Sequence, residues 1–165
     1  DLLLDAVAKL KVPYHLTIAG DGNAREALEQ HSANLGLQQT VDFAGWVPRE
    51  RLDGLYDRSR ILAVPSRWAE PFGMIGLEAM HRARPVVGFA VGGIADWLED
   101  GVNGFAIPER NVQRFADALA RLLGDIKLAR RMGQHGRDKL QTTFSFRRYL
   151  DRLEGVLGSE GSHAA

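Results

Sequence analysis

The segment of this 165-residue chain with the clearest chemical potential runs Glu70-Pro71-Phe72-Gly73-Met74-Ile75-Gly76-Leu77-Glu78. Pro71 stiffens the connection, and Gly73 lets the chain turn into a helix with its first amides uncovered. Free N–H groups at a helix start hold an anion such as a phosphate, or a sugar hydroxyl. Glu78 falls about five residues, roughly 7–8 Å, along that helix, and Glu70 precedes it. Two carboxylates flanking such a site suit a polyol better than a phosphate, because each accepts two hydrogen bonds from neighbouring hydroxyls. A sugar on one side of a diphosphate and a ribose on the other fit this arrangement. A plainer reading stands beside it, in which Glu70 complements the helix dipole and Glu78 lies on the exposed face of an amphipathic helix. A glycosidase-type pair is less favoured, since it needs facing carboxyls about 5–9 Å apart in a cleft.

The elements that must position these residues follow from the apolar pattern. Leu2, Leu3, Val7 and Leu10 repeat at helical spacing, and short runs at Tyr14–Ala19, Val41–Phe43, Ile61–Val64, Pro85–Gly88 and Phe105–Ile107 read as strands. Helices are predicted near Ala24–Leu35, Pro48–Asp57, Gly73–His81 and Ile94–Leu98. Apolar runs without alternation, spaced by helices, predict a doubly wound α/β fold with a parallel sheet covered on both faces. Beyond Val112 only helices are expected, the last carrying Phe146, Tyr149, Leu150, Leu153 and Val156 behind Ser145 as N-cap. In such folds ligands bind beyond the carboxyl ends of the strands. The loops there are Gly20-Asp21-Gly22, Gly45-Trp46-Val47, Pro65–Gly73 and Gly88–Gly93, where most of the turn glycines gather.

Composition narrows the function classes. The absence of Cys excludes disulfides, thiol catalysis and cysteine-ligated metal sites. Lys+Arg and Asp+Glu balance at 21 each, which gives no overall pull toward nucleic acid. The five His show no metal-ligand spacing, so no metal is expected. No apolar run approaches the ~20 residues that span a bilayer. Residues 121–152 carry nine Lys and Arg against three acids; a solvated basic face is the favoured reading, and contact with an anionic membrane the alternative. Trp68 either packs over a sugar or plugs its loop.

In order and spacing, Glu70 through Glu78 resembles the E-x7-E signature of the retaining GT-B glycosyltransferases, in particular the group-1 (family 4) class. Ile61 to Arg67 looks like the strand before that signature, and Arg84-Pro85-Val86-Val87 and Val91-Gly92-Gly93-Ile94-Ala95-Asp96 like the blocks after it. The resemblance covers nearly the whole chain and implies a Rossmann-like, donor-binding domain for a nucleotide-diphosphate sugar. It implies that Glu70, the catalytic candidate, holds hydroxyls of the transferred sugar and that Glu78 holds the ribose. Phe72, Gly73, Met74 and Ile75 would present backbone to sugar and phosphates. Trp46 and Val47 would border the base, and Gly20 and Asp21 the near edge of the cleft. The resemblance also implies that the departing phosphate helps to deprotonate the acceptor and that no metal or other cofactor is needed. Two residues depart from the family's usual pattern: Ala83 stands where Gly is common, and Asp96 where Glu is.

A chain that opens on a helix predicts a preceding central strand, and hence two sheet halves with a gap between them. The expectation is therefore a fragment, with residues 1–158 as the nucleotide-sugar-binding domain and 159–165 as a frayed tail. The family's diphosphate clamp and its N-terminal acceptor-binding domain are not in it, so the chain alone is expected to be inactive. The expected acceptor is a glycan, a small molecule or a lipid-linked compound, and the expected location the cytoplasm, at the inner membrane face in the lipid case. The rival readings are a catalytically degenerate nucleotide-sugar-binding module and a related sugar-nucleotide epimerase.

Overall fold

Asp1 starts the first helix, its carboxylate accepting the Leu2 amide at 2.6 Å, and α1 (Leu2–Val7) turns Leu4, Ala6 and Val7 inward. The computed structural model describes residues 1–144 together with Arg148, Leu150 and Glu154. Strands and helices then alternate: β1 (Leu16–Ala19), α2 (Arg25–Asn34), β2 (Val41–Gly45), α3 (Arg49–Arg58), β3 (Leu62–Val64), α4 (Met74–His81), β4 (Val86–Phe89), α5 (Ile94–Trp97) and β5 (Gly104–Ile107). After a 3-10 turn at Pro108–Arg110 come α6 (Val112–Gly124) and α7 (Ile126–Thr143), capped by the side chains of Asn111 and Asp125. Each predicted strand and helix up to α7 is present, with ends shifted by a residue or two. Of the helix expected from Ser145, Arg148, Leu150 and Glu154 are helical, while Ser145, Phe146, Tyr149, Leu153 and Val156, and the tail 159–165, lie outside the described residues.

All strand pairs are parallel, and they form two separate sheets, β1–β2 and β3–β4–β5. This matches the expected two sheet halves. Coverage differs from the expectation. In β4 all four residues are buried, but β1 and β2 alternate, with Thr17, Ala19, Asp42 and Ala44 exposed. β4 is the middle strand of its sheet and has helices on both faces, whereas every second side chain of the β1–β2 pair meets solvent.

Two apolar clusters flank β4. On one face Leu4, Val87, Phe89, Phe115, Leu119 and Met132 join α1, α6 and α7 to the sheet. On the other, Val64, Met80, Val86, Ile94 and Trp97 seat α4 and α5. Each such side chain, fully buried, contributes about 1.5–3 kcal/mol relative to exposure.

α4 ends in a Schellman turn: Arg84 N donates to Ala79 O at 2.8 Å and Ala83 N to Met80 O at 2.9 Å. The motif places Ala83 at φ 52, the left-handed conformation that glycine adopts without penalty. That is the structural content of the departure noted at this position. Ala83→Gly is expected to raise unfolding stability by up to about 1 kcal/mol, as left-handed strain is relieved and part of the gain is lost to backbone entropy. Chemical denaturation reads this directly, and a destabilised variant would contradict it.

Candidate functional site

The loops at the carboxyl ends of the strands share one edge of the molecule. At β1 and β2, Gly20 N donates to Gly45 O at 2.7 Å. Asp21 accepts the Gly22 amide at 2.8 Å, and Arg25 bridges from Glu29 to Phe43 O, which ties this loop to the end of β2. Trp46 stands 75% exposed beside the half-buried Val47.

The β3–α4 loop is held by backbone contact. Gly93 N donates to Glu70 O at 2.7 Å, and the loop lies so close to Gly92 and Gly93 that a side chain at either would overlap it. From below, the buried Trp97 donates its indole N–H to Phe72 O at 2.5 Å. Ser66 donates to Glu70 Oε1 at 2.9 Å and so orients that half-buried carboxylate. Gly73 sits at φ 78 and no side chain caps α4, so the first amides of the helix stay available, with Met74 and Ile75 exposed around them. Trp68 is 86% exposed, which removes the plug reading.

Glu78 corrects the plainer reading. It is not a free surface acid: only 25% of its side chain is exposed, and both oxygens are held. Arg49 Nη1 donates to Oε1 at 2.5 Å and Tyr56 OH to Oε2 at 3.0 Å. Burial first, and then the hydrogen bond to Glu78, pushes the Tyr56 phenol well above its ordinary pKa, so it remains a donor. Arg49 is 66% exposed, so its ion pair is worth little, and Tyr56 is the firmer restraint. Next to this pair, Arg82 bridges Asp53 at 2.8 Å and Asp57 at 2.9 Å. A cleft of about 380 Å³ runs between α3 and α4, bordered by Arg49, Tyr56, Met74, Glu78 and Arg82.

Of the expected site residues, only Met74 and Glu78 border this cleft. Glu70, Phe72, Gly73 and Ile75 stand at the helix start, while Gly20, Asp21, Trp46 and Val47 form the neighbouring β1–β2 loops. Sequence reasoning missed Tyr56, Arg49, Ser66 and Trp97. A signal existed for the first two: Arg49, Asp53 and Tyr56 share one face of α3 at i, i+4, i+7, opposite Glu78 on α4 and, four residues on, Arg82 at its C-cap. Among the described residues no group of three or more His, Cys, Asp or Glu could hold a metal, and no helix is long and apolar enough to cross a membrane.

The family model for glycosyl transferases group 1 matches residues 1–139. The chain is 33% identical over 139 residues to the alpha-D-kanosaminyltransferase of Streptomyces kanamyceticus, covering 84% of this chain and 36% of that one. It is 38% identical over 116 residues to the D-inositol 3-phosphate glycosyltransferase of Nocardia farcinica, covering 70% and 26%. In three dimensions it resembles Anabaena HepE, solved in complex with UDP and glucose, with a TM-score of 0.86 at 25% identity over 96% of this chain and 44% of that one. Sucrose-phosphate synthase from Thermosynechococcus elongatus follows at 0.83 and 28% identity, over 96% and 42%. The chain thus spans less than half the length of each. With α/β alternation, parallel sheets and helices on both faces of β4, the architecture is the Rossmann-like C-terminal half of a GT-B fold, and the chain belongs to the group 1 glycosyl transferases.

Proposed function

We propose that the chain is the donor-binding half of a retaining glycosyltransferase that takes its sugar from a nucleoside diphosphate. The observation that carries the reading is the seat of the β3–α4 loop: backbone on backbone at Gly92–Gly93, it presents an uncapped helix start between Glu70 and Glu78. The amides of α4 offer donors and a positive helix end to the diphosphate. Glu70, oriented by Ser66, keeps lone pairs for hydroxyls of the sugar. Glu78 has about four acceptor sites, of which Tyr56 and Arg49 use one each, leaving two for a ribose. Trp46 supplies an exposed aromatic face for the base. HepE, solved with UDP and with UDP-glucose, supports a uridine nucleotide as the first donor to try.

In the complete enzyme the bond from the sugar C1 to the diphosphate oxygen breaks while a bond to the acceptor oxygen forms on the same face. The acceptor proton passes to the departing phosphate, so no protein base is required. The site's contribution is to stabilise charge on the leaving diphosphate and to hold the sugar in place. The chain spans 36% of its kanosaminyltransferase relative, so the acceptor is taken to be held elsewhere and the isolated chain to bind donor without transferring it.

Calorimetry with UDP-, GDP- and ADP-sugars tests this. One of them should bind, and Glu70→Gln should weaken it about tenfold or more, as expected for charge-assisted hydrogen bonds. Failure of every nucleotide sugar to bind, or unchanged affinity in both Glu70→Gln and Glu78→Gln, would remove the assignment. Sugar transfer by the 165-residue chain alone would remove the division of labour.

A further inference from the structure

A second pocket lies at the opposite edge of the sheet, where the chain enters β3 and β4. It measures about 190 Å³, and Arg58, Arg60, Arg84 and Arg130 converge on it from α3, from the connections into β3 and β4, and from the first turns of α7. Asp57 is its only carboxylate, and that group already pairs with Arg82 at 2.9 Å. Among the described residues none of the four guanidinium groups has a carboxylate within ion-pair distance. Arg60 donates to Leu123 O at 2.6 Å and Arg84 Nη2 to Asp57 O at 2.9 Å, but Arg84 Nε is buried without a hydrogen-bond partner. Helix carbonyl ends meet part of this charge: Arg58 lies in the last turn of α3, Arg60 engages the end of α6 and Arg84 the end of α3. Arg130 and the buried Arg84 Nε have no such partner among the described residues, and the start of the 18-residue α7 adds positive potential of its own.

Four guanidinium groups without a carboxylate partner among the described residues repel one another around one concavity, and the buried Arg84 Nε–H with no acceptor adds a desolvation penalty. An anion removes both costs. We propose that this pocket binds a phosphate group, through the guanidinium groups of Arg58, Arg60, Arg84 and Arg130. Its volume is below the ~300 Å³ at which pockets begin to enclose drug-sized ligands, so it suits a phosphate, a diphosphate or a phosphomonoester headgroup rather than a whole nucleotide. It stands a strand's length, about 13 Å, from the loops around Glu70, and is therefore separate from any diphosphate held at the start of α4. The basic excess of residues 121–152 reaches this pocket through Arg130.

The test uses the full chain at constant ionic strength, with amide NMR titrations of inorganic phosphate and pyrophosphate. A parallel arm measures sedimentation with phosphatidylcholine vesicles, with and without phosphatidic acid. Arg58 and Arg130 are exposed, so the double variant Arg58→Gln/Arg130→Gln should keep the fold. The expected result is saturable binding, with shifts at residues 57–60, 83–84 and 126–130, weakened about tenfold or more in the double variant. Binding in the soluble arm identifies a free phosphate compound; binding only to phosphatidic acid vesicles, lost in the variant, identifies a lipid headgroup. No binding in either arm, shifts confined to residues 73–76, or unchanged binding by the double variant would overturn the proposal.

Discussion

Gly93→Ala is expected to lower donor affinity about tenfold or more while leaving a folded protein that is less stable by about 1–3 kcal/mol. The new methyl group would overlap Pro71 O and lie 2.8 Å from Phe72 Cα, and both neighbours are backbone, which cannot rotate aside. The loop must lift, and with it go the Glu70 carbonyl that accepts from Gly93 and the helix start that follows. A displacement of about 1 Å at such a site is enough to cost about 100-fold in catalysis of the complete enzyme. Gly124→Ala supplies the control, because nothing lies within 4 Å of a Cβ there and the residue closes a helix. Calorimetry against the best nucleotide and chemical denaturation of both variants decide the matter. Equal donor affinity in Gly93→Ala and the parent would show that the seat of the loop does not set the site.

The second large effect is expected at the α3–α4 contact. Tyr56→Phe removes one hydrogen bond to Glu78 and should lower stability by about 1.5–2 kcal/mol, the lower part of the range for bonds to charged groups because Glu78 keeps some solvent. Donor affinity should fall as well, since the carboxylate loses its firmer restraint and keeps only the exposed Arg49. Glu78→Gln should be worse on both counts. A carboxamide has a single acceptor oxygen, so it cannot serve Tyr56 and Arg49 through separate oxygens and still accept from two hydroxyls. Titration with a nucleoside diphosphate and its 2′-deoxy analogue separates the roles. If Glu78 holds the ribose, the variants should narrow the affinity difference between the two ligands; a merely structural carboxylate would leave that difference unchanged.

Much of the architecture was legible from order and spacing. The runs Ile61–Val64 and Pro85–Gly88, apolar without alternation and spaced by helices, announced parallel strands, and the helical stripe from Val112 announced α6. The exposure of alternate residues in β1 and β2 was not legible, because Leu16-Thr17-Ile18-Ala19 is apolar enough to read as covered on both faces. At the site, Gly73 marked the uncapped helix start, because a left-handed residue at a helix entry is a local property of the chain. Ser66, four residues before Glu70, could have been named by proximity, whereas Trp97 could not, lying 25 residues beyond Phe72.

What the sequence determined alone was what depends on neighbours along the chain: the strand–helix alternation, the glycine-lined loops at the strand ends, and the two glutamates flanking one helix start. The tertiary structure decided which partners each charge meets. Glu78 is held by Tyr56 and Arg49, while Arg58, Arg60, Arg84 and Arg130 share a pocket whose carboxylate, Asp57, already pairs with Arg82. Electrostatic pairing depends on distance through space, and it is the shared core beneath α3 and α4 that brings these chain-distant groups together.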